Sequence, residues 1–235
     1  MTELQADFEA DAQAIDGRIE TKPVILSQPA SWQVYGASAP RSDVPLAMVK
    51  AASDTPAKFL LVGPKYQHPY VDGVHLTGNG ARRMWQDFGR AIAGWYVYGA
   101  WTFMGKGASA SRSGTTVTVT IPETDGGTPG GGWVSPMVID TTLVTDPGNY
   151  GVSYVDGGGS PVTVSAVSLV GANQIQFTIA SAVAGTVRFG TVGTPGADAG
   201  PSTGPRTCFR DSLSETYADG AAAYNWLACL ELPVA

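Results

Sequence analysis

The sequence predicts an α/β unit over residues 1–105 followed by an antiparallel β-sandwich over residues 106–235. Three observations predict it. Through residue 95, amphipathic helical segments alternate with short apolar runs, the pattern of strands covered on both faces. Beyond residue 105 the apolar side chains instead recur at every second position, in short runs separated by Gly and Pro clusters. Finally, the 235 residues include 30 Gly and 16 Pro but only 14% charged side chains. That composition suits short strands and many turns better than long helices or an acidic disordered tail.

Each element has its own signal. Residues 1–20 predict a helix, because Leu4, Phe8, Ala12 and Ile15 recur at three- and four-residue steps with acids between them, and Gly17 is placed to end it. Pro23–Ser27 is a short apolar run between turn residues and predicts a buried parallel strand. Ser42–Ala52 predicts a helix capped by Ser42 or Asp43, with Pro45 tolerated in its first turn. Phe59–Gly63 predicts a second buried strand. Thr77 caps a helix reaching about Ala93, whose apolar face is Ala81, Met84, Trp85, Phe88 and Ile92. Seven runs then predict the sandwich strands: Thr115–Ile121, Val134–Ile139, Tyr150–Val155, Val162–Val170, Gln174–Ile179, Thr186–Gly190 and Tyr224–Leu230. Asp156–Ser160 and Gly171–Asn173 read as hairpin turns, and Gly193–Gly204 as an exposed, mobile loop.

Charge and composition exclude several function classes. A formal net charge of −6 argues against nucleic acid, whose binding draws on clustered Lys and Arg. The most apolar stretch, Ala91–Gly105, is broken by Gly94 and Gly99 and is too short to span a bilayer, so no membrane insertion is expected. The acidic start lacks the apolar core of a signal peptide, which points to synthesis in the cytoplasm. Cys208 and Cys229 fit no metal-ligand spacing; they read as small buried side chains or as a disulfide pair. Glu123-Thr124-Asp125 has the oxygen ligands calcium takes, but reads as a solvated turn. No metal or cofactor is expected.

The chemistry concentrates in Val71-Asp72-Gly73-Val74-His75-Leu76-Thr77-Gly78-Asn79-Gly80. Hydrolytic acyl transfer needs a base to take the nucleophile's proton and an acid to hold that base in one tautomer. An Asp three residues before a His, in a tight loop ahead of a helix, places both at one sheet edge, with Gly73 allowing the turn between them. These residues resemble the last block of the SGNH (GDSL-like) hydrolases, in which Asp-x-x-His, Leu-Thr and a helix supply the catalytic acid and base. The resemblance extends back to Pro23–Pro29, similar to the family's fourth strand and loop, and to Phe59–Tyr66, similar to its fifth, about 75 residues in all.

The resemblance implies a flavodoxin-like sheet of five parallel strands, of which this sequence holds the last two with their flanking helices. It implies Asp72 and His75 as catalytic acid and base. The family's Gly-Asp-Ser nucleophile motif and oxyanion donors have no counterpart here, and Arg210-Asp211-Ser212 lies in the wrong region and the wrong chain order. Three readings stay open: a split domain whose missing strands and Ser come from a partner chain docking on the unpaired strand edge, a degenerate fold kept as a non-catalytic scaffold, or an ordinary esterase with a mis-assigned start. If active, the protein would be a serine esterase of the carbohydrate O-acetylesterase type.

Other candidates are weaker. Tyr66 and Tyr70 are substrate-binding candidates that stack on a sugar or pack in the core, and Gln28 is a candidate for the active-site rim. His68 reads as a structural loop residue. Trp95, Tyr96, Tyr98, Trp101 and Phe103 read as an inter-domain packing plug, with sugar binding as the functional counterpart. Gly204–Ser212 and Tyr224–Leu227 resemble the β-rich module that follows SGNH-like domains in phage and prophage proteins. That resemblance implies a virion or phage-like particle, in an oligomeric spike or fibre, and cell-surface polysaccharide as partner.

Overall fold

The computed structural model describes residues 2–35, 41–99, 101–123, 132–191, 193–194, 196–213 and 215–235. It comprises a mixed α/β region and an all-β region with several antiparallel sheets.

The chain begins with helix α1 (Thr2–Asp16), strand β1 (Val24–Gln28), the single turn α2 (Trp32–Tyr35), α3 (Asp43–Asp54), β2 (Phe59–Pro64) and α4 (Gly78–Tyr96). β1 and β2 pair in parallel, Val24 beside Phe59 and Leu26 beside Leu61, with a register shift after Leu26. Val24, Leu26, Phe59 and Leu61 point to one side, where α3 brings Met48, Val49 and Ala52. β1 has no second neighbouring strand among the described residues. On β2, the carbonyl of Leu61 receives the Trp101 indole N–H at 2.9 Å.

One expectation fails at α1. Its supposed core stripe is outward: Leu4, Phe8 and Ile15 are 70%, 54% and 88% exposed, while Gln5 is its buried residue. Polar anchoring decides this orientation. Gln5 donates to Lys22 O, and Glu9 accepts from Lys22 N–H and pairs with Lys58 at 3.4 Å. The α4 face is only partly covered: Ala91 is buried, but Trp85 and Ile92 are exposed.

The second region contains β3 (Ser109–Ser113), β4 (Thr116–Thr120), β5 (Val138–Ile139), β6 (Val152–Asp156), β7 (Pro161–Val162), β8 (Val164–Val170), β9 (Gln174–Ile179), β10 (Gly185–Phe189), β11 (Phe209–Arg210), β12 (Glu215–Thr216), β13 (Ala222–Ala223) and β14 (Leu230–Val234). Two four-stranded antiparallel sheets, β3-β4-β9-β8 and β14-β10-β6-β7, carry its core. Period-two alternation buries Val117 and Val119 of β4 and Ile175, Phe177 and Ile179 of β9. They share that core with Val152, Tyr154, Val187 and Phe189 of the other sheet, and the Tyr154 and Phe177 rings meet edge to face at 6.5 Å.

Strand limits differ from expectation in several places. The expected Val162–Val170 strand divides between β7 and β8, which lie in different sheets. Ser109–Ser113 has no aliphatic pattern, yet it pairs along β4 through the Gly114 turn (φ +60°). Val134–Ile139 shrinks to the two residues that meet β11. The last strand is Leu230–Val234; Tyr224–Leu227 is extended but contributes a single bridge, Trp226 to Arg210. Pro233 is tolerated there because β14 is an edge strand.

Two apolar clusters cross residue 105: Leu26, Ala52, Phe59 and Leu61 belong to the same buried cluster as Phe177 and Phe189, and a second joins Ala30 and Tyr66 to Trp226 and Cys229. Polar ties reinforce them, including Tyr217 to Asp87 at 3.1 Å, Arg83 to Asp219 at 2.9 Å and Arg41 to Glu231 at 2.8 Å. Cys208 and Cys229 are free and buried, so the disulfide reading does not hold. No described helix is long and apolar enough to cross a membrane.

Candidate active site

The loop between β2 and α4 is tied into a narrow hairpin-like turn. Val71 N–H donates to His75 O at 2.9 Å and Thr77 N–H to Pro69 O at 3.0 Å, with Tyr70 and Leu76 bridged across it. Thr77 then caps α4, its hydroxyl accepting from Gly80 N–H at 3.0 Å. Glycine supplies the closeness. A Cβ at Gly80 would lie 2.3 Å from Pro69 O, and one at Gly73 would lie 2.8–2.9 Å from Val34 and Asp198. Gly73 therefore serves by lacking a side chain; it is not among the positive-φ glycines that a turn role would suggest.

Inside this turn, Asp72 Oδ1 accepts from His75 N–H at 2.7 Å and Val74 N–H at 2.8 Å. His75 Nδ1 lies 3.0 Å from Asp72 Oδ2 and 3.1 Å from Oδ1. These partners, the His75 backbone N–H first, then Val74 N–H and the imidazole, hold the Asp72 carboxyl down at about 2. An ionised carboxylate only accepts hydrogen bonds, so the shared proton sits on Nδ1. In the neutral ring the lone pair is then on Nε2, on the far side from Asp72. Such an imidazole can take a proton at Nε2, with Asp72 offsetting the charge that develops.

The pair is open to solvent, with side chains 75% (His75) and 54% (Asp72) exposed. Among the described residues, Asp72 is the one side chain that hydrogen-bonds His75, and no serine hydroxyl reaches it. Asp72 also lines a groove of about 300 Å³ with Pro69, Tyr70, Val71, Asp198 and Ser202. The far wall is the Gly193–Gly204 stretch, expected to be exposed and mobile. Its described part is instead docked: Ala199 N–H donates to Gly73 O, Gly196 N–H to Gln33 O and Thr203 Oγ1 to Asp198 O, and Ala199 is buried. Asp198 and Ser202 had no signal in the sequence, because only the fold brings that loop against residues 69–73.

The three substrate-binding candidates separate. Tyr70 lines the groove, half-buried, and burial raises its phenol to about 12. Gln28 and Tyr66 are fully buried elsewhere, which corrects their placement at a rim or sugar platform. The Gln28 amide donates to Cys229 O and Pro45 O and accepts from Cys229 N–H. Tyr66 OH donates to Leu227 O at 2.8 Å, and burial drives its pKa well up. Both residues fasten the α/β region to residues 227–229.

His68 is buried with its Nε2 3.1 Å from Asp87 Oδ2, and Tyr217 OH donates to the same carboxylate. That network pins the loop to α4 and to the β12–β13 hairpin. The aromatic cluster divides: Phe103 is core and Trp101 is tied to β2, whereas Tyr96 and Tyr98 are 79% and 51% exposed. The described residues contain no metal-holding group of His, Cys, Asp or Glu. Of the acidic run, Thr124 and Asp125 lie outside the described residues.

No family model matches the chain. No curated protein matches it either. Among solved structures, it is similar to a carbohydrate acetylesterase from Xanthomonas citri at 13% identity and a TM-score of 0.49, covering 94% of this chain and 43% of that one. The chain thus spans under half the length of that structure. It is also similar to the N-terminal part of the bacterial S-layer protein SbsC, at 12% identity and a TM-score of 0.30, covering 68% and 29% of the two chains.

Proposed function

We propose that this chain carries the acid–base pair of a serine esterase that deacylates cell-surface polysaccharide, with the serine and oxyanion donors supplied by polypeptide outside residues 1–235. The observation that carries the reading is the Asp72–His75 pair: Nδ1 is committed to an ionised carboxylate, and Nε2 has no side-chain partner among the described residues. The resemblance of residues 71–80 to the SGNH acid–base block supports it. So does the edge of β1, which pairs with no second strand among the described residues and can accept one. The exposed apolar side chains Leu4, Phe8 and Trp85 on the flanking helices are consistent with further covering polypeptide.

In this reaction the serine oxygen attacks the ester carbonyl and its proton moves to His75 Nε2. The imidazolium returns that proton to the departing sugar oxygen as the C–O bond breaks. Water then repeats the cycle on the acyl-serine, releasing the carboxylic acid. Asp72 keeps Nδ1 protonated throughout. The setting we propose is an oligomeric spike or fibre of a virion or phage-like particle, on the resemblance of residues 204–227. A second reading, a polysaccharide-binding protein without hydrolysis, draws on the 75% exposure of His75, which leaves the base unshielded from water.

The test is p-nitrophenyl acetate hydrolysis by this chain alone and with the neighbouring polypeptide that carries a Gly-Asp-Ser motif. Activity that needs both, and falls by about 10³-fold or more in His75→Ala, is the expected result. A stable complex whose activity is indifferent to His75→Ala would leave the binding reading.

A further inference from the structure

Away from the Asp72 groove, the sharp bend between α4 and β3 encloses a second hollow of about 310 Å³. Its lining includes Trp95 from α4, Trp101, Thr102 and Lys106 from the following segment, and Leu60 and Leu61 of β2. The size lies at the low end of ligand pockets, ~300–1,000 Å³. We propose that this hollow binds a pyranose ring that bears a carboxylate. The inference deepens the polysaccharide reading and rests on it for its context, but it involves none of the residues of the Asp72–His75 site.

Three features specify the ligand. First, two half-buried indoles line one hollow, and aromatic faces accept the C–H side of a sugar ring. Second, Trp101 is already fixed. Its N–H is spent on Leu61 O at 2.9 Å, so its ring is oriented before a ligand arrives and offers the face alone. The turn that carries Lys106 is fixed as well, by Lys106 N–H to Phe103 O at 3.2 Å. Third, Lys106, like Lys65, makes no ion pair among the described residues, whereas Lys22, Lys50 and Lys58 each meet a carboxylate. An ammonium with no anion among the described residues, lining the same hollow as two indoles, selects a sugar with a negative group over a neutral one. Trp95 also borders a neighbouring groove of about 220 Å³ with Ile92 and Tyr96. The binding surface therefore continues past one ring, and an oligosaccharide gains contacts that a monosaccharide lacks.

The test is calorimetric titration of the full chain with trigalacturonate and with maltotriose. Saturable binding of trigalacturonate is expected, with maltotriose weaker by roughly tenfold or more, the worth of one charge-assisted hydrogen bond. Lys106→Gln should remove that difference, and Trp95→Ala should remove measurable binding of both, with Trp95→Phe restoring part of it. Circular dichroism checks that the Trp95 variants are folded, and Lys106→Gln removes no side-chain hydrogen bond or ion pair among the described residues. His75→Ala should leave the titrations unchanged, so a failed esterase assay and a failed binding site are read separately. Absence of saturable binding by either sugar, or binding that survives Trp95→Ala, would overturn the site. Equal affinity for the two sugars in the unsubstituted chain would overturn the acidic ligand class.

Discussion

Asp72 has two employments at once. Its carboxylate closes the turn by accepting from the Val74 and His75 amides, and it orients the imidazole of His75. The first accounts for most of its lowered pKa, so the residue stays ionised when the imidazole is removed. Its folded pKa, about 2, lies below the ordinary 3.8. The linkage therefore favours the folded turn above the unfolded value and fades as pH falls through the folded one. An amide NMR titration should show Val74 and His75 shifting together with a midpoint near 2 in the unsubstituted chain, and with a higher midpoint that stays below the ordinary 3.8 in His75→Ala. A midpoint near 4 in that variant would mean that the imidazole, not the backbone, holds the charge.

At the scale of elements, the site depends on how closely α4 approaches the loop that precedes it. Gly80, in the first turn of α4, lies against the Pro69 carbonyl, and no flexible side chain is there to yield. Gly80→Ala should therefore destabilise the protein by about 1–3 kcal/mol, the usual cost of overpacking, although alanine is the better helix former. Urea denaturation measures this, and a stabilised variant would show that the loop gives way freely. Helix α1 follows the opposite logic. Its apolar spacing is regular, yet Gln5 and Glu9 anchor it by hydrogen bonds and an ion pair, and the apolar side faces out. Periodicity told that α1 is a helix; it could not tell which face a partly covered helix turns inward.

The whole molecule is held as one unit by contacts from both sides of residue 105. Gln28 is the most telling: its amide satisfies Cys229 N–H and O and Pro45 O in a fully buried site. Gln28→Ala would strand Cys229 N–H and O, each at about 1–3 kcal/mol when left unpaired. Calorimetry should show a single transition for the unsubstituted chain, moved to lower temperature as one peak in Gln28→Ala. Two separated transitions would indicate that the regions unfold independently. Arg210, whose guanidinium stands 3.7 Å from the Tyr224 ring centroid and 2.6 Å from Asp140, is a further tie within this C-terminal segment.

The sequence by itself determined the local grammar. Apolar runs fixed β1 and β2, alternation fixed β4 and β9, caps at Ser42 and Thr77 began α3 and α4, and the Asp72–His75 spacing within one loop made their meeting a local matter. Only the tertiary structure decided what depends on distant partners. It paired the polar strand Ser109–Ser113 with β4, drew Gln28 and Tyr66 inward to residues 227–229, and laid residues 198–203 beside Asp72. The physical reason is the range of the forces involved. Backbone sterics, capping and side-chain alternation act over a few residues and are written in the order of the chain. Burial and the pairing of buried polar groups depend on which segments meet, and no local pattern at Gln28 or Ser202 carries that information.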